Sequence, residues 1–206
     1  LVEALLDAGF AVVARPHPMT AKRSPEALPR LLERVGGRAR FRLDDQVAGQ
    51  ASLLQADVMV SDWSGAALEF AFGLERPVLF IDVGRKVNNQ NYEELGIEPF
   101  EVTVRPLLGA VLAPDRLAEA PSVVEQLLAD RDRLRVDIAR LRDESIYNIG
   151  RSAAVAADAI EAALGVAAST IPSSGRGSRA HPGEAQVIVK DTGEKGLHVS
   201  LDHRQL

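Results

Sequence analysis

The chain has 206 residues, of which 46% are hydrophobic, and it carries a formal net charge of −5 and no cysteine. These numbers predict one domain of ordinary size, with a core of its own, plus a tail. They exclude disulfides and thiolate metal sites, and they argue weakly against nonspecific binding to nucleic acid, so no nucleic-acid partner is expected. No apolar run approaches the about 20 residues that span a bilayer.

The first elements of the chain are a helix and a buried strand. Residues 1–8 have the apolar spacing of a helix, and a chain that starts inside a helix is expected to be a piece of a longer protein. The missing part could carry a targeting segment or half of an active site. Residues 10–14 form a continuous apolar run, which is typical of a strand in a parallel sheet.

Two prolines follow this strand, in the sequence Arg15-Pro-His-Pro18. They stiffen the loop and prevent a helix from starting at once. His17 is therefore presented at the carboxyl end of a strand, where parallel sheets bind ligands. A loop histidine without function is the alternative interpretation, and the neighbouring cation Arg15 favours the functional one.

The next segment contains a helix, an edge strand and a second helix. Ser24-Pro25 predicts the start of the first helix, because serine caps helices and proline suits their first turn. Residues 39–43 alternate apolar side chains with arginines, which predicts a strand. The row of arginines suggests an edge position, and the preferred alternative is a plain solvated face. Residues 47–55 are interpreted as a short helix.

The stretch 55–82 is interpreted as strand, turn, helix, turn and strand. Its apolar runs 58–60 and 77–81 are typical of buried strands, and the apolar residues 66–72 predict a helix that Gly73 can stop. A unit this compact implies a parallel pair with a right-handed crossover. We therefore predict an α/β fold with a Rossmann-like parallel sheet flanked by helices, and central strands near 10–14, 56–60 and 78–81.

Turn-forming residues with the sequence Ser-Asp-Trp-Ser-Gly occupy positions 61–65, between the first of these strands and the helix. The amide groups and the dipole of a helix N-terminus favour an anion such as phosphate. Glu69 lies about one and a half turns into the helix, where its carboxylate can accept hydrogen bonds from ribose hydroxyls. The pattern thus predicts a nucleotide site. The alternative is a helix capped by Asp62 or Ser64, with a solvated Glu69.

A polar segment leaves the second strand at Asp82 and is expected to overhang the same cleft. Its side chains can donate hydrogen bonds to phosphate or sugar oxygens, and they are Arg85, Lys86, Asn88, Asn89 and Asn91. A plain surface loop is the alternative interpretation.

The rest of the chain is predicted to be mostly helical. The pattern indicates a short strand at 99–104, a helical segment from Arg105-Pro106 through Leu112, and helices from Pro114 to Leu164 with a break at 147–150. The predicted division is a domain of residues 1–165 and a tail of residues 166–206. The tail is expected to be a linker followed by a poorly ordered segment or appendage, in which 186–189 and 197–201 could pair weakly as strands.

Several motifs resemble the CDP-glycerol glycerophosphotransferase family, whose enzymes assemble teichoic acids and capsule polymers. In order, they are RPHP at 15–18, ADVMVSDWSG at 56–65, the strand after Arg76-Pro77, KVNNQNYEELGIEPFE at 86–101, and NIGRSAAVAADAI at 148–160. The resemblance covers most of residues 1–165 and implies the carboxyl-terminal, donor-binding half of a two-domain enzyme with the GT-B architecture. The family usually has an aromatic residue and two serines after the aspartate. Trp63 and Ser64 fit this pattern, and Gly65 replaces the second serine.

The resemblance implies transfer of glycerol phosphate from CDP-glycerol to a hydroxyl acceptor, with CMP as the leaving group. His17 is the implied catalytic residue, either as a ligand of the diphosphate or as an acid or base. The implied donor- and phosphate-binding residues are Arg15, Ser61, Asp62, Ser64, Gly65, Glu69, Lys86, Asn88 and Asn89. Neither a metal nor a cofactor is expected, because the helix end and nearby cations could neutralise the diphosphate.

The implied partners are a nucleotide-activated donor, a polymer or lipid-linked acceptor, and the missing amino-terminal domain of the same protein. The implied location is cytoplasmic, with peripheral attachment to the inner face of the cell membrane as an option. Two alternative functions stay open, since a fold does not decide function. One is a GT-B glycosyltransferase that uses a nucleotide sugar, and the other is a non-catalytic nucleotide-binding domain.

Overall fold

The structure, a computed structural model, describes residues 1–46, 49–84, 91–164 and 186–190. Its strands are β1 (Ala11–Arg15), β2 (Phe41–Leu43), β3 (Val58–Ser61), β4 (Val78–Ile81), β5 (Gly109–Leu112) and β6 (Gln186–Lys190). They form one six-stranded sheet in the order β2-β1-β6-β3-β4-β5. Every pairing in this sheet is parallel.

The helices account for most of the remaining described residues. They are α1 (Val2–Asp7), α2 (Thr20–Arg23), α3 (Ala27–Val35), α4 (Ala51–Gln55), α5 (Gly65–Leu74), α6 (Phe100–Val104), α7 (Ala120–Ala129), α8 (Arg131–Ser145) and α9 (Ser152–Leu164). Short 3-10 helices lie at Tyr92–Leu95, Arg105–Leu107 and Pro114–Glu119. None of the helices in the described ranges combines the length and the apolar character that a membrane span requires.

The middle of the sheet is buried on both faces. Every residue of β3 and β4 is buried, and so is all of β1 except its first residue. Because side chains alternate between the two faces of a strand, such burial explains why these strands are continuous apolar runs. The predicted α/β fold with its parallel sheet is confirmed, as are the predicted central strands, the parallel pairing of β3 with β4, and the edge position of β2.

Helices of the unit that contains the sheet flank it as two layers. α1 contacts β1, α3 and α7, and α7 contacts β3, β4 and β5, so these three helices cover one face. α5 connects β3 to β4, and it packs against β3. The chain moves in one direction along the sheet from β1 to β2 and in the other from β3 to β4. The right-handed rule for parallel crossovers therefore assigns α5 to the opposite face from α3.

The direction of the chain across the sheet reverses between β2 and β3. From β1 the chain moves outward to β2, and from β3 it moves the other way to β4 and β5. In open α/β sheets, ligands bind beyond the carboxyl ends of the strands at such a switch point. Here the switch point lies between β1 and β3, and β6 occupies the position between these two strands.

β6 comes from the region for which the sequence predicts a tail. Its Ile188 lies opposite Val13 of β1 and opposite Met59 of β3, and both Val187 and Ile188 are fully buried. The expectation of an appendage is therefore wrong for Gln186–Lys190. The expected pairing of 186–189 with 197–201 is wrong as well, because β1 and β3 occupy both edges of β6. Residues 197–201 themselves lie outside the described residues.

Two elements after β4 also differ from the prediction. Residues 99–104, expected as a strand, form α6 behind Pro99, and residues 105–112, expected as helical, form a 3-10 turn followed by β5. β5 can pair closely with β4 because Gly109 has no side chain. A Cβ at Gly109 would lie 2.1 Å from the carbonyl oxygen of Val78.

Several helix boundaries are shifted from their predicted positions. α3 begins at Ala27 rather than at Ser24-Pro25, and the helix before β3 begins at Ala51, with residues 47 and 48 outside the described ranges. α5 continues through Gly73 to Leu74 and ends at Glu75, whose backbone is left-handed with φ 56°. The pair Arg76-Pro77 follows directly, so the proline rather than Gly73 marks the end of the helix.

Contacts divide the chain into two units, one of residues 1–138 with 184–206 and one of residues 139–183. The first unit contains the sheet and α1 to α7. The described part of the second unit consists of the end of α8 and all of α9, with the predicted break between them. The predicted division after residue 165 falls outside the described residues and stays a prediction.

Candidate functional site

β3 leads through a tight turn into α5, as the sequence predicts. Ser64 is the N-cap residue, with an extended backbone (φ −113°, ψ 128°), and the helix begins at Gly65. Within the described part of the chain, the Ser64 side chain has no capping hydrogen bond. A helix N-terminus carries roughly half a positive charge and several amide groups that have no partner inside the helix. This end of α5 can therefore receive an anion.

Gly65 leaves space at the same helix end. The residue is exposed, and apart from its chain neighbours and the backbone of α5 no described atom lies within 4 Å of the position that a Cβ would take there. The backbone of Gly65 is thus accessible to a ligand, and a small side chain would also fit at this position.

Ser61 and Asp62, two of the predicted phosphate-binding residues, are buried. Ser61 is the last residue of β3 and is 0% exposed, and Asp62 is 2% exposed. The structure thus places them beneath the N-terminus of α5, whereas Ser64 is half-buried and Gly65 is exposed. In this conformation, only the latter two can meet a ligand at the surface.

A buried arginine that the sequence analysis missed lies beside this turn. The Arg105 side chain is 5% exposed, and its Nη1 donates a hydrogen bond to Oδ1 of Asp82 at 3.0 Å. Its guanidinium carbon lies 3.8 Å from the centre of the Trp63 ring and 5.2 Å from that of Phe80. Asp62, Trp63, Asp82 and Arg105 together are called the Arg105 cluster below.

The Arg105 cluster ties the ends of two central strands together. Asp62 and Trp63 follow β3, and Asp82 follows β4. The indole Nε1 of Trp63 donates to the carbonyl oxygen of Val83 at 2.8 Å, which adds a second link. Burial lowers the pKa of the Arg105 guanidinium, whereas the hydrogen bond to Asp82 and the negative charges of Asp82 and Asp62 act in the opposite direction. Arg105 therefore interacts with both carboxylates.

Arg105 could not be predicted from the residues that directly follow the strands in the sequence. Arg105 precedes β5, so its backbone belongs to the amino end of that strand, but its guanidinium reaches Asp82 beyond the carboxyl end of β4. The misassigned strand and helix around it concealed this geometry further. The hint in the sequence is Asp82 itself, an acidic residue directly after a buried strand, where a cation from elsewhere in the chain can pair with it.

Arg15, a predicted donor-binding residue, is engaged with the loop after β2. Its Nη1 donates to Oδ2 of Asp44 at 2.9 Å and to Oγ of Ser52 at 3.0 Å. Its Nη2 donates to the carbonyl oxygens of Gln46 at 3.0 Å and Gly49 at 2.6 Å. Both terminal nitrogens are thus used within the protein, and the arrangement supports a structural role more directly than a role in binding a phosphate.

His17 lies in the loop after β1 and is half-buried. Its Nδ1 accepts a hydrogen bond from the backbone amide of Met19 at 3.1 Å, which fixes the ring and assigns the proton of the neutral imidazole to Nε2. Chemistry at this histidine would therefore use Nε2. α2 begins at Thr20, two residues beyond Pro18, as the two prolines predict.

The remaining predicted residues divide into two groups. Glu69 is exposed on the second turn of α5, so its carboxylate is available to a ligand. Lys86, Asn88 and Asn89 lie outside the described residues, and their roles stay predictions. Arg85 lies outside them too.

The parallel sheet brings the loops of β1 and β3 to the same edge. His17 follows β1, and Ser64 follows β3. Because β6 lies between these strands, and neighbouring strands are about 4.8 Å apart, the two strand ends are separated by roughly 10 Å. This spacing suits a ligand that spans both loops rather than direct contact between their side chains.

No protein-family model, curated protein or solved structure matches this chain. Among the described residues, no group of three or more acidic residues or histidines could hold a metal ion. The site is therefore characterised by its own geometry, which combines an accessible helix N-terminus with a buried cation beside it.

Proposed function

We propose that this chain binds the donor in the transfer of glycerol phosphate from CDP-glycerol to a hydroxyl acceptor in teichoic-acid or related polymer synthesis. The observation that carries the proposal is the N-terminus of α5, where Ser64 has no capping bond among the described residues and Gly65 has open space around it. This end lies beyond the carboxyl end of β3, beside the switch point of the sheet. Diphosphates bind at such positions in doubly wound sheets.

The chemistry assigns a separate task to each part of the site. The acceptor oxygen forms a bond to the β-phosphorus of CDP-glycerol, the bond from that phosphorus to the bridging oxygen breaks, and CMP leaves. The acceptor proton passes to a base. The N-terminus of α5 stabilises the diphosphate charge, and Glu69 accepts hydrogen bonds from the ribose. Because Nδ1 of His17 accepts from the amide of Met19, its Nε2–H is available as a hydrogen-bond donor to a phosphate oxygen.

The proposal is tested by calorimetric titration of the chain with CDP, CMP and inorganic pyrophosphate. Weak binding of the cytidine nucleotides is expected, without transferase turnover by this chain alone, because the resemblance implies that the acceptor surface belongs to another domain. Replacing Ser64 with Glu is expected to abolish the binding of all three ligands, since a negative charge then occupies the phosphate position.

Glu69→Ala provides the matched control for the ribose. It is expected to weaken CDP more than pyrophosphate, because only CDP has a ribose. Equal losses for both ligands would refute the assignment of Glu69 to the ribose. Absence of any nucleotide binding at millimolar concentration would refute the donor site and favour the non-catalytic alternative.

A nucleotide-sugar glycosyltransferase is the second candidate function. The exposed Glu69 and the open position at Gly65 suit a nucleotide sugar equally well. Titration with UDP and GDP beside CDP discriminates between the two candidates. Tighter binding of UDP or GDP than of CDP would favour the glycosyltransferase.

A further inference from the structure

Arg105 places a positive charge in the interior of the protein, next to the N-terminus of α5. The residue is 4% exposed, and its guanidinium stacks on Trp63, which directly precedes the N-cap residue of α5. Within the described ranges, its Nε and Nη2 are buried and have no hydrogen-bond partner. Burying unpaired donors is unfavourable, so a position that keeps such a group calls for a physical explanation.

The charges around Arg105 suggest what the group does. Asp62 is buried directly before Trp63, and Asp82 is half-exposed at the end of β4. A helix N-terminus contributes roughly half a positive charge, whereas each carboxylate contributes a full negative one. Without a cation beside them, these two carboxylates would outweigh the dipole of α5 and repel a phosphate.

We propose that Arg105 is a positioning residue for anion binding at the N-terminus of α5: it neutralises Asp62 and Asp82 and fixes Trp63 against the turn. The inference rests on the proposed function, since it takes a pyrophosphate group as the anion bound at this helix end. Burial lowers the pKa of the Arg105 guanidinium, and the two carboxylates counteract this lowering, which agrees with the arrangement.

A purely mechanical role is the competing explanation. Stacking of a guanidinium on an indole stabilises local structure without regard to any ligand. The charge-neutralising role and the mechanical role predict different effects of substituting Arg105. Lysine restores the charge but not the planar stacking group, whereas glutamine keeps some polar contact and removes the charge.

The experiment measures inorganic pyrophosphate binding by calorimetry for the unmodified chain, Arg105→Lys, Arg105→Gln and the double variant Arg105→Gln with Asp82→Asn. Arg105→Gln is expected to weaken binding by about tenfold at low salt, because close charges interact strongly in a partly buried site. The loss should shrink at 1 M salt. Arg105→Lys is expected to lose less than threefold, and the double variant should recover at least threefold over Arg105→Gln.

Trp63 supplies an independent readout, since it is the one tryptophan of the chain. Its fluorescence should change in both Arg105 variants, because the stacked guanidinium is gone from each. A charge-based role therefore predicts equal spectral changes but unequal pyrophosphate affinities. Urea unfolding of each variant checks that the fold is retained.

Asp82→Asn alone keeps the inference testable if the Arg105 variants fail to fold. Removing this half-exposed negative charge should strengthen pyrophosphate binding about two- to threefold, and weaker binding would overturn the inference. So would equal losses in Arg105→Lys and Arg105→Gln without recovery in the double variant. If the unmodified chain binds neither pyrophosphate nor CDP, the proposed function fails; if it binds both and Arg105→Gln binds them equally well, only the role of Arg105 fails.

Discussion

Two buried arginines near the carboxyl edge of the sheet differ in how their donors are used. The two terminal nitrogens of Arg15 donate to three oxygens of the loop after β2 and to the Ser52 hydroxyl in α4. Arg105 donates to Asp82 and otherwise lies against aromatic rings. The resemblance of the motif RPHP at 15–18 implied Arg15 as a donor-binding residue. The structure instead gives Arg15 a structural network and leaves Arg105 beside the N-terminus of α5.

The open position at Gly65 allows a direct test of the phosphate site. Gly65→Ser adds the hydroxyl that the resembling family usually has at this point, and no described atom beyond its chain neighbours and the backbone of α5 lies within 4 Å of the new Cβ. An additional hydrogen bond is worth about 1 kcal/mol, so pyrophosphate affinity measured by calorimetry should rise about three- to tenfold. Gly65→Ala is the matched control and should leave affinity nearly unchanged. Equal effects of serine and alanine would contradict a phosphate at this position.

Asp44 is expected to make a contribution to the free energy of unfolding that is lost in acid. A hydrogen bond from Ser52 is the largest influence that lowers the pKa of this carboxyl, followed by the backbone amide of Gln46 and the charge of Arg15. The folded-state pKa therefore lies below the unfolded value of about 3.9. The resulting stabilisation is fully present above the unfolded value and is lost as the pH falls through the folded one.

Asp44→Asn tests this contribution through urea unfolding between pH 7 and pH 3. At pH 7 the variant should lose about 1–3 kcal/mol, because Arg15 is left with a weaker buried partner. Its stability should also fall less steeply than that of the unmodified chain below about pH 4. Ser52→Ala, which removes the main cause of the lowered pKa, should show an intermediate slope. Parallel pH profiles for all three proteins would contradict the assignment.

At the scale of elements, the central strands were predictable and the segment after β4 was not. Residues 58–60 and 78–81 are apolar on both faces and short, which is a local pattern that the sequence shows directly. The β-branched residues of 99–104 favour a strand locally, yet they form α6. β5 depends instead on a contact across the sheet, between Gly109 and the backbone of Val78. Such a contact leaves no periodic pattern.

Two glycine variants test this contrast. Gly109→Ala would bring a Cβ to 2.1 Å from the Val78 carbonyl oxygen, so it should destabilise the protein by about 2–4 kcal/mol, as expected for a clash with the backbone. Gly73→Ala lies inside α5, and no described atom beyond its chain neighbours and the backbone of α5 lies within 4 Å of the new Cβ. It should stabilise the protein by about 0.5–1 kcal/mol. Chemical denaturation measures both, and a tolerated Gly109→Ala would contradict the pairing of β5.

At the scale of the whole molecule, the position of β6 could not be predicted from local sequence patterns. Val187 and Ile188 are a short apolar run behind a linker-like composition, and nothing near them in the sequence indicates their partners. The hydrogen bond from the Gln186 amide to Oδ2 of Asp57 joins residues 129 positions apart. The candidate site was only partly predictable for the same reason. The β3–α5 turn consists of residues that are neighbours in the sequence, whereas the Arg105 cluster combines residues from distant segments.

Substitutions at Ile188 test the central position of β6. Ile188 is 0% exposed and contacts both neighbouring strands through its register. Ile188→Ala should destabilise the first unit by about 2–5 kcal/mol, and the conservative control Ile188→Val by about 0.5–1.5 kcal/mol. Urea unfolding measures both changes. Losses near zero for both variants would show that this residue lies outside the core.

The central position of β6 has a consequence for how the chain folds. β1 and β3 each present an unpaired inner edge until β6 is inserted between them, so the two halves of the sheet cannot join earlier. During synthesis, residue 186 emerges long after both of its partner strands. Parallel pairings that are distant in sequence form slowly, and unpaired edges invite association with other chains. Refolding should therefore be slow and sensitive to protein concentration, and the insertion of β6 should limit its rate.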